Sequence, residues 1–201
     1  MNDKFYEQKK EKQDMMINGA MKIFALKGYA HASVDDMVKE CGASKGLWFH
    51  YFESKKGLYS FVVSYAVKYA ILEYGIKLED KGMGLYDLLL EKEKVKVDLM
   101  GMYPYLPLLI LSILNETDEE ALSLMSDARE SYIEALENIY VGIDRSEFEE
   151  PDDSFLIQKM ITSTFADIMR DYYHKPVFLK EEYISECEKY IQMLKKFLGK
   201  K

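Results

Sequence analysis

Residues 33–58 read SVDDMVKECGASKGLWFHYFESKKGL and contain the pattern of two short helices joined by a turn. Apolar residues recur at intervals of three and four over residues 34–41, which predicts a short helix that begins after a capping Ser33. Gly42 ends that helix, and a second short helix rich in aromatic residues is predicted over residues 45–51. Two short helices joined by a tight glycine-bearing turn form a helix-turn-helix, whose second helix can enter the major groove of DNA.

Helical patterns continue on both sides of this unit. A first helix is predicted over residues 4–27, and Gly28 stops it because glycine readily takes the left-handed conformation that ends a helix. Ser54 can cap a fourth helix that begins at Lys55 without any flexible linker. Further helices are predicted over residues 85–100, 108–114, 118–141, 154–173 and 180–198, the third of these opened by a capping box of Thr117 and Glu120.

The composition is that of an ordinary globular protein that needs no disulfide bonds. Of 201 residues, 48% are hydrophobic and 31% are charged, and the low glycine and proline counts favour helices. Cys41 and Cys187 lack the spaced partners of disulfide or zinc frameworks, so we expect no metal and no cofactor. A signal peptide and an apolar run of about 18 residues are both missing, which predicts a cytoplasmic protein with no membrane partner.

The charge is distributed unevenly along the chain. The net charge is −8, which by itself argues against a nucleic-acid binder, because phosphates must be neutralised by lysine and arginine. Residues 1–60, however, carry +2, and residues 61–201 carry −10. A mildly basic first segment joined to a strongly acidic second one indicates that only the first segment meets a polyanion.

A set of residues in the first 60 keeps a distinctive order and spacing: Ala20, Phe24, Gly28, Tyr29, Ser33, the CGASKG of residues 41–46, Phe52, Ser54, Lys55 and Leu58. This set resembles the N-terminal signature of the TetR family of transcriptional regulators. The resemblance implies an all-α protein with a three-helix helix-turn-helix DNA-binding domain, residues 1–60, joined to a larger helical ligand-binding and dimerisation domain, residues 61–201. It also implies a homodimeric repressor that binds double-stranded operator DNA and a small-molecule inducer.

The family pattern also assigns candidate DNA contacts. The positions that face the DNA backbone are Ser33, Ser44, Lys45 and Lys55. Hydroxyl and N–H groups at helix starts donate to phosphates, and lysine supplies the charge that displaces counterions. Gly46 would let the second helix approach the duplex closely. Leu47 suits a thymine methyl and His50 suits a hydrogen-bond acceptor on a base edge.

Three residues depart from the family pattern. Phe49 stands where tyrosine is usual, so a phosphate-bonding hydroxyl is missing, and we expect the neighbouring Tyr51 to supply one from a different angle. Gln13 replaces a frequent arginine, and Leu47 replaces a common threonine. Trp48, one turn from Phe52, could stack on bases, but we interpret both rings as the core of the front helices.

The second segment is rich in aromatic and methionine residues. The candidate ligand-binding residues are Tyr65, Tyr69, Met100, Tyr103, Met125, Tyr132, Phe165 and Met169. Such stripes usually form a core, yet adaptable methionines and polar-tipped rings also suit a cavity for an apolar or aromatic molecule. The long apolar stripes of the two C-terminal helices could complete a monomeric bundle, but two DNA half-sites favour a homodimer interface there.

Other interpretations stay open at this stage. The chain could be a TetR-like regulator without a small-molecule ligand or one that activates transcription, and a helical adaptor that binds only protein is a further alternative. An enzyme is disfavoured because the three histidines lie far apart in sequence and neither a phosphate-binding glycine loop nor a nucleophile elbow is present.

Overall fold

The computed structural model describes residues 3–78, 82–146, 148 and 151–198. Within these residues the chain is all-α, as predicted, and none of its helices has the length and apolar character needed to cross a membrane. A 3₁₀ turn at Asp3–Phe5 precedes α1 (Lys10–His31), α2 (Val34–Cys41), α3 (Lys45–Phe52), α4 (Lys55–Lys77), α5 (Leu85–Leu99), α6 (Leu106–Leu114), α7 (Glu119–Ile139), α8 (Pro151–His174) and α9 (Lys180–Leu198).

The first helix begins later than predicted. Residues 4–9 lie outside α1, and Phe5 is fully buried. The side-chain amide of Gln13 donates to the main-chain oxygens of Tyr6 and Gln8, at 3.0 and 2.8 Å. Side-chain bonds to the backbone compete with the helical pattern, which explains why the helix does not extend to Lys4.

Gly42 ends α2 as predicted, whereas Gly28, predicted to stop the first helix, lies within α1 and interrupts it. Gly28 breaks the regular geometry of α1 with a φ of +69°. Gly42 takes a φ of +73° at the C-terminus of α2, where its N–H donates to the Val38 oxygen at 2.8 Å. Both positions need the left-handed conformation that glycine adopts without steric cost.

The start of α7 differs from its prediction. The Asp118 carboxylate caps this helix by accepting the Ala121 N–H at 2.9 Å. Glu120 instead accepts the Tyr29 hydroxyl at 2.5 Å and pairs with Lys56. The predicted capping box of Thr117 and Glu120 is wrong, because tertiary contacts hold the Glu120 side chain.

Contacts divide the chain into two compact units. Unit one contains the described residues of 1–71 and 99–135, so it joins α1, α2, α3 and most of α4 to α6 and α7. Unit two contains the described residues of 72–98 and 136–201, which include α5, α8 and α9. The predicted boundary at residue 60 divides the sequence by function and stays a prediction.

Each unit has its own apolar core. In unit one, α1 lies against α6 and α2. Its core includes Met16, Ala20, Phe24, Leu58, Val62, Leu106, Leu109, Ile113 and Met125. The core of unit two includes Leu85, Leu88, Leu89, Ile161, Phe165, Met169, Tyr183 and Cys187.

Unit two also buries charged groups. Glu93 is 3% exposed and accepts hydrogen bonds from the Tyr183 hydroxyl at 2.5 Å and from Lys96 at 2.6 Å. Lys92 is 5% exposed, its ammonium donates to the Tyr140 hydroxyl, and burial lowers its pKa to about 8. Buried charges are tolerated only with good partners, and the bond from Tyr183 to Glu93 joins α9 to α5.

Gly57 lies at the tight junction of α3 and α4 and supplies a stability prediction. A Cβ there would lie 2.3 Å from the Phe52 oxygen, whereas a Cβ at Gly75 in the same helix would meet nothing within 4 Å. We expect Gly57→Ala to lower the free energy of unfolding by about 1–3 kcal/mol. The matched control Gly75→Ala should raise it by about 0.5–1 kcal/mol. Urea unfolding measures both, and equal midpoints would show that the junction relaxes freely.

Candidate nucleic-acid interface

Helix α3 has one buried face and one exposed face. On the inner face, Trp48 is 1% exposed and Phe52 is 3% exposed. The outer face is formed by Lys45, Gly46, Leu47, Phe49 and His50, all exposed except the half-buried Leu47. These five of the residues predicted to meet DNA therefore lie together on one side of α3, away from its buried face.

Aromatic rings hold the inner face of α3 in place. The ring centroid of Phe52 lies 6.0 Å from that of Trp48 and 5.1 Å from that of Phe61 in α4. Aromatic rings at these separations stabilise the packing of the core, both because they are buried and because the edge of one ring attracts the face of another. The interpretation of Trp48 and Phe52 as core residues rather than base-stacking surfaces is confirmed.

Helix α2 is capped by the serine predicted for that role. The Ser33 hydroxyl accepts the Asp36 N–H at 3.2 Å and donates to the Asp36 carboxylate at 2.6 Å. The Lys27 ammonium and this hydroxyl hold the pKa of Asp36 below its usual value. Because the Ser33 hydroxyl already donates and accepts, a phosphate at this point would meet the helix N–H groups first.

Three lysines of this region are paired with carboxylates. The pairs are Lys22 with Glu40 at 2.7 Å, Lys27 with Asp36 at 2.8 Å and Lys45 with Asp35 at 2.8 Å. The side chains of Lys45 and Asp35 are 54% and 63% exposed. An exposed pair contributes only about 0–1 kcal/mol, so a phosphate can replace Asp35 as the partner of Lys45 at little cost.

Lys55 has a role that its sequence position did not reveal. Its ammonium donates to the main-chain oxygens of Tyr29 and Ala32 at 2.9 and 3.3 Å and lies 4.3 Å from the centroid of the Tyr29 ring. The last carbonyl oxygens of a helix have no N–H donor within the helix, and a lysine ammonium at the helix end can donate hydrogen bonds to them. Lys55 therefore connects the end of α1 to the start of α4. These bonds to carbonyl oxygens compete with the predicted contact of the Lys55 ammonium with phosphate.

Tyr51 lies on the inner side of α3 and corrects one prediction. The residue is 3% exposed, and its ring centroid lies 5.5 Å from that of Phe5. The outward position at this end of the helix belongs to Phe49, which is 42% exposed. Tyr51 is therefore a core residue, because burying its large ring outweighs presenting its hydroxyl to DNA.

Phe5 contributes to this site although it falls within the predicted first helix. Its ring contacts the inner face of α3. The only signal was a bulky aromatic residue within a charged segment, which is a weak indication of burial. Ser44, at the N-terminus of α3, is exposed as predicted.

The candidate ligand-binding residues divide between the two units. Tyr65, Tyr69, Met100, Tyr103, Met125 and Tyr132 belong to unit one, whereas Phe165 and Met169 belong to unit two. The centroid of the Tyr103 ring lies 5.5 Å from that of Tyr65 and 5.1 Å from that of Tyr69. The structure therefore brings these three tyrosines together.

A hydrogen-bond chain connects this tyrosine cluster to α1. The Tyr65 and Tyr103 hydroxyls lie 2.5 Å apart, and the Tyr103 hydroxyl donates to the Asp14 carboxylate at 3.2 Å. One residue earlier in the chain, the Met102 oxygen accepts the Asn18 amide at 3.2 Å. Burial and these neighbours raise the pKa of Tyr103, so its hydroxyl keeps its proton at neutral pH.

Comparison with known proteins agrees with this geometry. Residues 16–60 match the profile of the bacterial regulatory proteins of the tetR family. YuxN, an uncharacterized HTH-type transcriptional regulator of Bacillus subtilis (strain 168), is 30% identical over 144 residues, which are 65% of this chain and 46% of YuxN. The chain spans less than half the length of the curated relatives that it matches.

Solved structures share the fold over nearly the whole chain. The fatty acid degradation regulator FadR from Bacillus halodurans has a TM-score of 0.65 at 17% identity and covers 92% of this chain and 98% of its own. FadR from Bacillus subtilis, solved in complex with stearoyl-CoA, has a TM-score of 0.61 at 17% identity and covers 90% and 96%. At these identities the similarity shows a common fold.

The different surroundings of Lys45 and Lys55 lead to different expectations. Lys45→Ala should weaken binding to all duplexes similarly and reduce the slope of log K against log salt concentration by about one, because one phosphate contact is lost. Lys55→Ala should leave that slope unchanged and lower the free energy of unfolding by about 1–3 kcal/mol, because carbonyl oxygens lose their donor.

Fluorescence anisotropy at several salt concentrations and urea unfolding separate the two effects. An unaltered slope for Lys45→Ala would place the DNA surface elsewhere. A reduced salt slope for Lys55→Ala would show that Lys55 contacts a phosphate.

Proposed function

We propose that this chain is a member of the TetR family of transcriptional regulators. In this proposal it binds a pseudo-palindromic operator as a homodimer, represses transcription and is released by a small apolar or aromatic molecule. The observation that carries the proposal is the division of α3 into a buried aromatic face and an exposed face with Lys45, Gly46 and His50. Since bacterial operators lie in the cytoplasm, we place the protein there.

The outer face of α3 suits the major groove. Gly46 adds no side chain between the helix and the duplex, while Leu47 can contact a thymine methyl and His50 a base-edge acceptor. Ser44 and the N–H groups at the start of α3 can donate to phosphates. Phe49, at 42% exposure, presents an apolar edge where a hydroxyl is usual in the family.

The homodimer is proposed to form through α8 and α9. Both helices expose large apolar side chains, namely Phe155, Leu156 and Met160 on α8 and Tyr190, Met193 and Phe197 on α9. Tyr190, Met193 and Phe197 are spaced by three and four residues and therefore share one side of α9. Exposed apolar groups on one helix side indicate an interface, and a second copy would supply the other recognition helix.

Ligand control is proposed to act through the tyrosine cluster of Tyr65, Tyr69 and Tyr103. These residues lie in the same compact unit as α1, α2 and α3, and Tyr103 bonds directly to Asp14 of α1. A molecule that displaces the Tyr103 ring would break this bond and shift α1 relative to α4. The ligand must bind the two arrangements with different affinity for this to change DNA binding.

The DNA and dimer proposals are tested together. We expect selection from random duplexes to yield a pseudo-palindrome whose half-sites lie about one helical turn apart. Leu156→Glu combined with Phe197→Glu should produce a monomer in light scattering and weaken binding to the full palindrome far more than to one half-site. Val141→Glu, at a 65% exposed residue of a turn, is the matched control and should stay dimeric.

Two results would contradict these proposals. If the wild-type protein selects no sequence at any salt concentration, the chain is not a sequence-specific regulator. If the double variant remains dimeric, the interface lies on another surface.

The ligand proposal is tested with stearoyl-CoA, because a solved protein of this fold binds it. Stearate and free coenzyme A separate the contribution of the apolar tail from that of the head. We expect a tail-bearing molecule to weaken operator binding, and Tyr103→Phe to reduce that effect because the bond to Asp14 is lost. Binding of a tail-bearing molecule without any change in operator affinity would disprove ligand release.

A further inference from the structure

The residues before α1 form an anchored segment, called here the N-terminal arm, which comprises residues 3–9. Its anchor is Phe5, which has no exposed surface. The Phe5 ring centroid lies 5.5 Å from that of Tyr51 and 5.0 Å from that of Phe52, both in α3. It also lies 5.5 Å from the ring of Phe61 in α4. Phe5 therefore fills the space where the C-terminal half of α3 meets α4.

The arm is held in this position by its own bonds to α1. Gln13 of α1 donates from its side-chain amide to the oxygens of Tyr6 and Gln8, at 3.0 and 2.8 Å. The Gln8 N–H donates to the Phe5 oxygen at 3.2 Å, which closes a tight turn directly after the anchor. Gln13 acts only as a donor in these two bonds, so the residue that departs from the family pattern at this position holds the arm to α1.

We propose that Phe5 is a positioning residue for DNA recognition, and that Gln13 fixes the arm that delivers it. This inference rests on the proposed function. Helix α3 has eight residues, which is too short to be stable alone, so its position depends on what packs against its inner face. A binding surface must be held within about 0.5 Å of its productive geometry, and Phe5 supports the end of α3 that carries Phe49 and His50.

The role of Phe5 differs from that of a DNA contact. Its ring is buried beneath α3, so its removal takes away no phosphate or base partner. The expected defect is a displaced recognition helix, which lowers affinity for the specific site and leaves the salt slope as it is.

The chain offers a built-in reporter for this displacement. Trp48 is the only tryptophan, it lies on the inner face of α3, and its ring is 6.0 Å from that of Phe52, a direct neighbour of Phe5. Acrylamide quenching of its fluorescence measures how well the inner face of α3 is covered. This measurement needs no DNA, so it remains decisive if the proposed function fails.

The experiment compares Phe5→Ala, Phe5→Leu, Gln13→Ala and the control Tyr6→Ala in the full-length protein. Tyr6 is the neighbouring aromatic residue of the arm and is 52% exposed. We expect Phe5→Ala to increase Trp48 quenching and to weaken binding to the selected operator about tenfold or more, with an unchanged salt slope. Phe5→Leu should keep Trp48 quenching and operator affinity close to those of the wild type. Gln13→Ala should increase quenching and weaken operator binding less than Phe5→Ala does. Tyr6→Ala should resemble the wild type.

Several outcomes would overturn the proposal. One is a folded Phe5→Ala variant with wild-type quenching and wild-type operator affinity. Another is a loss of affinity with unchanged quenching and a reduced salt slope, which would make the arm a direct DNA contact. If far-UV circular dichroism shows that Phe5→Ala is unfolded, Gln13→Ala decides: wild-type quenching and wild-type operator affinity in this variant would refute the positioning role.

Discussion

Burial of the aromatic inner face of α3 determines which side chains of this helix face the solvent. An isolated helix of this length does not persist in water, so α3 exists because Trp48 and Phe52 are removed from solvent. Phe61 of α4 and Phe5 of the N-terminal arm complete the cluster. Because those rings must point inward, Lys45, Gly46, Phe49 and His50 point outward.

The ion pairs of the lysines bear on the proposed DNA binding of a chain whose net charge is −8. Near α2 and α3, lysine side chains meet carboxylates of the same region, as Lys45 meets Asp35. Exposed ion pairs of this kind are weak, so a phosphate can replace the carboxylate as the partner of the lysine at a small cost in free energy. Lys55 is different, because its ammonium donates to main-chain oxygens and so stabilises the fold.

The connection between the front helices and the tyrosine cluster is direct. Tyr103 bonds to Asp14, the Met102 oxygen accepts from Asn18, and the Ser60 hydroxyl donates to the Leu124 oxygen. Residues distant in sequence thus share hydrogen bonds within one compact unit. The bond between Tyr103 and Asp14 joins the tyrosine cluster to α1 with no residue in between.

Local signals in the sequence determined the helical class, the turn at Gly42, the break at Gly28 and the position of α3. Periodicity, caps and glycine act over a few residues and can be read without knowing the fold. Only the tertiary structure decided that Phe5 is buried, that Tyr51 faces inward, that Lys55 bonds carbonyl oxygens and that Glu120 meets Tyr29 instead of capping α7. Each of these depends on a partner tens of residues away, and no short-range pattern records where the chain brings that partner.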